Sequence, residues 1–356
     1  MNKKKKKIKI HYLRIFVAFF IMLLIIIGMI FIISSCGKNK EEPNLPTGKD
    51  ISGNSLLSAS DETSEQTTES TTEPLIQFPV KTNNSNTFPV EFDCKYGILV
   101  DTDTNEIIAY RNYNTKMYPA SLTKIMTLIV AVENIQDLSD TVLITPEMVD
   151  PMIEQEASRA GFIAGETPTL EQVLYGIILP SGADASIAAA CYVAGSEDAF
   201  VEMMNKKAEE MGLKNTHFTN TVGLHDPRHY STAEDIAVIL NYALKNETCR
   251  KVLSTYQYQI PPTEYNPEGL LLESTVFSRM EGTEMPGVII KGGKTGFTDQ
   301  AGQCLATFAE ANGKTYVLIY SGGTSRWNIV YDTLSGYSIF CVNGQAYVPP
   351  EADQIN

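Results

Sequence analysis

The stretch GVIIKGGKTGFTDQAGQCLATFAEANGKTYVLIYSGG, residues 287–323, decides the fold of this 356-residue chain. It contains three runs rich in β-branched and aromatic residues, and the last two flank Ala311-Asn312-Gly313-Lys314. An Asn-Gly pair between two such runs predicts the turn of a β-hairpin. The first run, at 287–297, predicts another strand. We therefore expect neighbouring antiparallel strands late in the chain.

A second region of strand character precedes this one, in YGILVDTDTNEIIAYRNYN at residues 96–114. Asp103-Thr104-Asn105 predicts its hairpin turn. Between the strand regions, spaced apolar residues with Asp, Ser or Thr near each start predict helices at 121–134, 169–179, 182–193, 197–211 and 232–244, and a closing helix at 326–340. This order predicts an α+β fold in which an antiparallel sheet is flanked by helices and an inserted helical subdomain separates its strands.

The first 87 residues differ in composition from the rest. Residues 13–34 are apolar apart from Arg14 and are long enough to cross a bilayer, so they predict a transmembrane or lipoprotein signal segment. The lysine-rich segment 1–12 is then cytoplasmic, and the chain after the span lies outside the membrane. The Ser-, Thr- and Glu-rich residues 35–87 predict a disordered linker. We expect a single folded domain at 88–345 and a tail at 346–356.

The apolar segment is followed by Ile33-Ser34-Ser35-Cys36, which resembles the lipobox of bacterial lipoproteins. Cys36 is therefore either lipidated or a juxtamembrane cysteine without a role. In both cases the domain is tethered through the N-terminus at the cell membrane and lies on its extracytoplasmic side.

The charge distribution argues against binding to nucleic acid. The formal net charge is -14, and nine of the 28 Lys and Arg residues precede the first acidic residue, Glu41, which leaves 19 basic against 42 acidic side chains. Such a surface repels phosphates. His225 and His229 are spaced as zinc ligands can be, but Pro227 prevents one helical face from presenting both. We expect no metal and no cofactor.

The segment YPASLTKIMT, residues 118–127, places Ser121 and Lys124 one helical turn apart in apolar surroundings. Residues at i and i+3 of a helix share one face, so the amine lies within reach of the hydroxyl. A buried lysine has a lowered pKa and can take the proton of a serine nucleophile. An exposed lysine on a helix surface is the alternative interpretation of this spacing.

Two further motifs lie downstream. In LPSGADAS, Ser181 opens a helix directly after Leu179-Pro180 ends another. In IIKGGKTGFTDQAG, Lys294-Thr295-Gly296 closes a strand, and Gly292, Gly293 and Gly296 allow backbone to approach a ligand. A cation, a hydroxyl and bare backbone on an edge strand form a cradle for a carboxylate and a carbonyl. Taken singly, Lys294-Thr295-Gly296 is also compatible with a strand that ends in a turn.

Together and in this order, SxxK, Ser-Gly-x and KTG resemble the motifs of the penicillin-recognising serine enzymes. The flanking sequences YPASLTKIMT, GLHDPRHYSTAEDIAVI and KGGKTGFTDQAGQCL are similar to those of the low-molecular-mass penicillin-binding proteins, the serine-type D-alanyl-D-alanine carboxypeptidases of peptidase family S11. The resemblance covers roughly residues 90–342. It implies the DD-peptidase/β-lactamase-like transpeptidase fold and a hydrolase that trims peptidoglycan stem peptides.

The resemblance implies a role for each catalytic position. Ser121 attacks the carbonyl between the two D-alanines and forms an acyl-enzyme, with Lys124 as general base. Ser181 relays a proton to the leaving amine and later helps to activate water. The backbone N–H groups of Ser121 and Phe297 form the oxyanion hole.

The resemblance also implies the substrate-binding positions. Lys294 acts electrostatically on the Ser181 side, and Thr295 binds the terminal carboxylate. Gly296 and Phe297 complete the strand along which the substrate lies. Arg326, in SRWNIVYD, is similar in placement to an arginine that assists carboxylate binding, although a surface arginine that caps the last helix explains it equally well.

One position departs from the family pattern, because the second motif usually reads Ser-x-Asn and its third residue here is Ala183. Alanine cannot donate a hydrogen bond to the substrate amide, so we expect slower turnover. The expected partners are peptidoglycan stem peptides, with β-lactams as covalent inhibitors. Two alternatives stay open: a catalytically weakened penicillin-binding wall sensor, and a β-lactamase on the same fold.

Overall fold

The computed structural model describes residues 76–349. The predicted basic segment 1–12, the apolar segment 13–34, Cys36, most of the predicted linker and residues 350–356 of the tail lie outside the described residues. Within 76–349, no helix combines the length and apolar character needed to cross a membrane.

A six-stranded sheet forms the centre of the described part. Its strands are β1 (Val80–Thr87), β2 (Tyr96–Asp101), β3 (Glu106–Arg111), β6 (Val288–Thr298), β7 (Gly302–Ala311) and β8 (Lys314–Gly323). Their order is β1-β3-β2-β8-β7-β6, so β6 is an edge strand. Neighbours are antiparallel except β1 and β3. Strands from the two ends of the domain meet where β2 pairs with β8, which confirms the predicted architecture.

The predicted linker boundary at residue 87 is wrong for its last part, because Val80–Thr87 forms strand β1. This strand pairs in parallel with β3, from Val80 opposite Glu106 to Thr87 opposite Tyr110. Its sequence, VKTNNSNT, is polar and mostly exposed. Backbone groups, not apolar side chains, make the pairing at such an edge, and the composition of the segment therefore did not reveal it.

The predicted helices are confirmed, with small differences at their ends. A short 3₁₀ helix at Ala120–Thr123 leads into the first of them. The helices are α1 (Lys124–Asn134), α2 (Pro146–Glu154), α3 (Leu170–Ile178), α4 (Ala183–Ala194), α5 (Glu197–Glu210), α6 (Ala233–Lys245), α7 (Glu247–Leu253), α8 (Thr275–Met280) and α9 (Asn328–Val342).

The sheet separates two layers of apolar packing. Alternate residues of a strand point to opposite faces, so Ile98 and Val100 of β2 join one buried cluster while Leu99 joins the other. Helix α6 and the 3₁₀ helix that leads into α1 contact the first face, and α9 covers the second. The sheet is thus buried on both faces, and the catalytic motifs lie on the α1 side.

Several short elements were not predicted. These are α2, α7, α8 and a separate hairpin of β4 (Gln257–Ile260) with β5 (Leu270–Glu273). Helix α2 contains Pro151 in its interior, a residue that normally predicts a helix end. Strands of four residues give too short a pattern to be recognised by alternation.

Candidate active site

Ser121 and Lys124 form the contact that the sequence predicts. Lys124 Nζ lies 3.2 Å from Ser121 Oγ and donates to the carbonyl of Val222 at 2.8 Å. The lysine is only 2% exposed. Burial lowers the pKa of Lys124 to about 7, and the charges of Asp184 and Glu197 oppose this shift only in part. Close to neutral pH, the amine is therefore able to accept the proton of the serine hydroxyl.

The backbone around Ser121 is unusual for the start of a helix. Ala120 has a φ of 48°, in the left-handed region, and its carbonyl lies against Gly223. A Cβ at Gly223 would be 1.9 Å from Ala120 O, so only glycine fits there. The 3₁₀ turn and the glycine together place Ser121 where α1 begins, beside the open cavity.

The loop at residues 219–224 carries the Val222 carbonyl, which accepts the hydrogen bond from Lys124. Asn220 Oδ1 accepts hydrogen bonds from the backbone N–H groups of Val222, Gly223 and Leu224. Its side-chain amide donates to the Leu224 carbonyl at 3.0 Å. One asparagine thus fixes the turn that aims the Val222 carbonyl at Lys124. Sequence reasoning missed Asn220, because its role depends on a loop far along the chain from the SxxK motif.

Ser181 lies in strained backbone with its hydroxyl unpartnered. Its φ is 64°, and among the described residues nothing accepts or donates at its buried Oγ. Gly182, the next residue, packs its α-carbon against Gly176 and Ala160, where a Cβ would come within 2.6 Å of Gly176 O. An unpaired buried hydroxyl costs about 1–3 kcal/mol, and strain of this kind clusters at functional sites.

Ala183 and Asp184 have structural roles at the start of α4. Ala183 is completely buried and its N–H donates to the Ser158 carbonyl at 2.8 Å. Asp184 accepts hydrogen bonds from the backbone of Ala160, Gly161 and Phe162. Neither side chain offers a donor amide in place of the usual asparagine.

Strand β6 forms the opposite wall of the site. Lys294 is completely buried, and its Nζ donates to the Thr295 carbonyl at 2.8 Å. Burial lowers the pKa of Lys294 well below its usual range, and the nearby charges of Lys124 and Arg279 lower it further. Thr295 Oγ1 lies 2.7 Å from Thr275 Oγ1 on α8.

Two of the three glycines of this strand do not act as predicted. A Cβ at Gly292 would be 2.0 Å from Leu253 O, and one at Gly293 would be 2.0 Å from Ala306 O. These two glycines therefore allow close protein packing and a bulge in β6, not the approach of a ligand. Gly296 alone faces the reaction centre, where a Cβ would lie 3.0 Å from Ser121 N.

The residues meet at a cavity of about 590 Å³. Its walls include Ser121, Lys124, Ser181, Val222, His225, Thr275, Arg279, Thr295, Gly296 and Phe297. Lys294 and Arg326 do not line it. Phe297 is 53% exposed, so its side chain is available at the rim.

The structure brings a different arginine to the cavity from the one the sequence indicated. Arg326 is exposed, with its guanidinium 4.8 Å from the centre of the Trp327 ring. Arg279, on α8, lines the cavity and is half-buried, and burial and the charge of Arg326 lower its pKa. Arg279 lines the same cavity as Thr295 because α8, which was not predicted, packs against β6, so no local pattern could have found it.

Comparison with known proteins agrees with this geometry. A family model described as D-alanyl-D-alanine carboxypeptidase, Peptidase S11, matches residues 81–322. D-alanyl-D-alanine carboxypeptidase DacF of Bacillus subtilis (strain 168) is 32% identical over 255 residues, which cover 69% of this chain and 62% of that protein. The D-alanyl-D-alanine carboxypeptidase of Streptomyces sp. (strain K15) is 32% identical over 64% of this chain and 80% of its own length.

Solved structures give the same result. The Streptomyces K15 DD-transpeptidase superimposes with a TM-score of 0.65 at 29% identity, over 70% of this chain and 98% of that chain. A D-alanyl-D-alanine carboxypeptidase from Mycobacterium tuberculosis H37Rv gives a TM-score of 0.62 at 27% identity, over 71% and 94% of the two chains. With the family model matched over most of its folded part, this chain belongs to the peptidase S11 family of D-alanyl-D-alanine carboxypeptidases.

Proposed function

We propose that this protein removes the terminal D-alanine from peptidoglycan stem peptides through an acyl-enzyme on Ser121. One observation carries the proposal: a buried amine, Lys124 Nζ, lies 3.2 Å from Ser121 Oγ, and its pKa is lowered to about 7. Both contacts of this amine are neutral oxygens, so no carboxylate holds the proton on it.

The first step is attack of Ser121 Oγ on the carbonyl between the two D-alanines, while Lys124 takes the hydroxyl proton. The oxyanion is held by the N–H groups of Ser121 and Phe297. When the peptide C–N bond breaks, the proton that Lys124 took passes through Ser181 to the leaving D-alanine amine. Water then attacks the acyl ester and gives a proton to Lys124 and Ser181. That proton goes to Ser121 Oγ as the ester C–O bond breaks, and the shortened peptide leaves.

The terminal carboxylate of the substrate meets hydroxyl and guanidinium donors. Thr295 and Thr275 line the cavity on one side, and Arg279 adds a cation there. We include Arg279 as a carboxylate-binding residue, whereas Arg326, which is exposed, acts on that site through its charge. Lys294 is buried behind the cavity wall and donates to the Thr295 carbonyl, so it holds in place the strand segment that carries Thr295.

Two further parts of the proposal rest on the sequence. A β-lactam carries a carboxylate and a strained amide, so it acylates Ser121 in the same cavity. The apolar segment 13–34 and the cysteine that follows it support a protein tethered at the cell membrane, with its catalytic domain on the extracytoplasmic side. There the partners are peptidoglycan stem peptides.

The test is D-alanine release from an acyl-Lys-D-Ala-D-Ala peptide by the full chain in detergent, beside Ser121→Ala with an unchanged melting temperature. Release that Ser121→Ala abolishes and a chelator leaves intact supports the proposal. A stable penicillin adduct without release indicates the wall sensor, and rapid penicillin hydrolysis indicates the β-lactamase. Mass analysis with an added amine separates hydrolysis from acyl transfer, the reaction for which the Streptomyces K15 DD-transpeptidase is named.

A further inference from the structure

A buried histidine behind the nucleophile takes no part in the mechanism above. His229 is 2% exposed and lies between the 219–224 loop and the start of α1. Its Nδ1 faces the Thr219 backbone N–H at 3.1 Å, and its Nε2 lies 2.8 Å from Thr123 Oγ1. Burial lowers the pKa of His229 to about 4, so the ring is neutral at neutral pH.

These contacts fix the direction of each hydrogen bond. A backbone N–H is always a donor, so Nδ1 accepts from Thr219 and the ring proton is on Nε2. Nε2–H therefore donates to Thr123 Oγ1. The threonine hydroxyl is left with its own proton, which it donates to the Ala120 carbonyl at 2.7 Å. The result is a series of hydrogen bonds that runs from the loop through His229 and Thr123 to the Ala120–Ser121 peptide group.

That peptide group carries the N–H of Ser121. The bond is trans, and in a planar trans peptide the C=O and the N–H point in opposite directions. Whatever fixes the Ala120 carbonyl therefore aims the Ser121 N–H. The direction of this N–H needs side-chain support, because Ala120 is in the left-handed region, which costs an alanine about 1–2 kcal/mol. On the other side, Gly296 of β6 lies directly beside Ser121 N.

We propose that Thr123 and His229 are positioning residues for the oxyanion hole, because they hold the Ala120–Ser121 peptide plane so that its N–H points into the cavity. This inference rests on the proposed function, in which that N–H stabilises the tetrahedral intermediate. Neither side chain lines the cavity, so both act through the peptide and not on the substrate.

The experiment measures kcat and KM for D-alanine release, together with the affinity of a peptide boronic acid, in full-chain variants. The boronic acid forms a tetrahedral adduct on Ser121 with an oxygen in the oxyanion hole. Its affinity therefore depends on the direction of the Ser121 N–H. Removing a whole donor costs about 10²–10³ in kcat, and a misaimed donor loses part of that. Thr123→Val is expected to lower kcat and boronic acid affinity together by about 10- to 100-fold, with KM within about twofold.

Two matched variants separate positioning from general damage. Thr123→Ser keeps the hydroxyl and is expected to retain most of kcat. Thr333→Val removes another buried threonine hydroxyl, one that donates to the Ile329 carbonyl at 2.7 Å on α9, and is expected to leave kcat unchanged. A Thr123→Val protein with kcat and boronic acid affinity within twofold of wild type would overturn the inference.

The histidine supplies an independent test. His229→Phe removes the donor to Thr123 in similar volume and is expected to lower kcat by about 10-fold. Because His229 acts through Thr123, adding it to Thr123→Val is expected to lower kcat little further. If the two losses of kcat multiplied in the double variant, His229 and Thr123 would act independently. That outcome would contradict the proposed series of hydrogen bonds, even if one single variant folds poorly. A wild-type protein that neither releases D-alanine nor is acylated would instead defeat the proposed function itself.

Discussion

Polar groups lie on both sides of the sheet, but their degree of burial and their hydrogen-bond partners differ. On the α1 side, Lys124 and Ser181 in the cavity wall and Lys294 behind it are buried, and within residues 76–349 none of them contacts a carboxylate. On the α9 side, a cluster that we call the N-terminal clasp consists of Asp93, Arg111 and Asp332. Here the charged groups bond to the backbone that they hold in place.

The clasp ties the start of the domain to its end. Arg111 donates to the carbonyls of Phe92 and Cys94, each at 2.8 Å. Asp93 accepts from Thr324 N at 2.7 Å, and Asp332 accepts from Asp93 N. Half-buried charges that bond to backbone thus fix structure, whereas a buried amine or hydroxyl at the cavity that no carboxylate neutralises is available to a substrate or a proton.

The largest effect is expected from Lys124→Met. A general base contributes about 10²–10⁴ in rate, so D-alanine release should fall by about 1000-fold. The melting temperature should not fall, because the change removes a desolvated amine and keeps an apolar stem of similar length. Kinetics and thermal unfolding of the same preparation check both expectations.

Lys207→Met is the matched control for that prediction. Lys207 Nζ lies 2.8 Å from Glu133 Oε2, so its loss should lower the melting temperature and leave activity unchanged. If Lys124→Met kept a tenth of the wild-type rate or unfolded earlier than wild type, Lys124 would not differ from Lys207 in serving catalysis at a cost in stability.

A smaller but still large effect is expected from Gly223→Ala. The new Cβ would meet Ala120 O at 1.9 Å and force the nucleophile's peptide to move. A displacement near 1 Å can cost about 100-fold in rate, so we expect that loss together with reduced stability. Gly195→Ala is the control, since φ there is also positive, at 79°, but nothing lies within 4 Å of the new Cβ. It should cost only about 1 kcal/mol of stability and no activity.

Much of this arrangement could be predicted from the sequence because it is local. Ser121 and Lys124 belong to one helical turn, and the strands of 287–323 carry their own turn residues. The contact between serine and lysine and the position of β6 at an edge are confirmed. The assigned roles of Ser181, Thr295 and Phe297 stay predictions.

What could not be predicted depends on long-range packing. Arg279 reaches the cavity because α8, a helix of six residues, packs against β6. His229 is 106 positions from Thr123, and its ring nitrogens acquire their roles only when the loop folds over α1. The sequence pattern also predicted that Gly292 allows backbone to approach a ligand. It packs against Leu253 instead, and the residue that a glycine packs against cannot be predicted from the spacing of the glycines.

The pH dependence of acylation tests whether burial lowers the pKa of Lys124. The pKa of Lys124 is about 7, so the acylation rate should fall by about tenfold per pH unit below that value and level off above it. His229, with a pKa of about 4, stays neutral over this range and does not contribute. Stopped-flow acylation by a chromogenic β-lactam from pH 5.5 to 8.5 measures the profile, and a flat profile would contradict Lys124 as the base.

The same shift predicts a stability change at alkaline pH. The folded pKa of Lys124 lies below the unfolded value of 10.5, so the folded state binds fewer protons between pH 7 and 10.5. Stability from this group therefore rises with pH across that window. The difference in melting temperature between Lys124→Met and wild type should shrink from pH 7 to pH 10, and a constant difference would argue against a neutral buried amine.

The smallest effect is expected within the clasp, where its two carboxylates should respond in opposite directions. Burial raises the pKa of Asp332 to about 6, above its usual 3.8, so ionisation costs stability as pH rises from about 4 to about 6. Asp332→Asn should therefore unfold about 2 °C later than wild type at pH 7.5 and show no gain at pH 4.

Asp93 behaves oppositely: burial works against its ionisation, but hydrogen bonds from Thr324 and Ser325 outweigh burial and lower its pKa. Its contribution is present above pH 4 and is lost in acid, so Asp93→Asn should unfold earlier at pH 7.5. Thermal unfolding of both variants at the two pH values checks the signs, and equal responses would mean that the clasp acts through charge alone and not through the bonds each carboxylate makes.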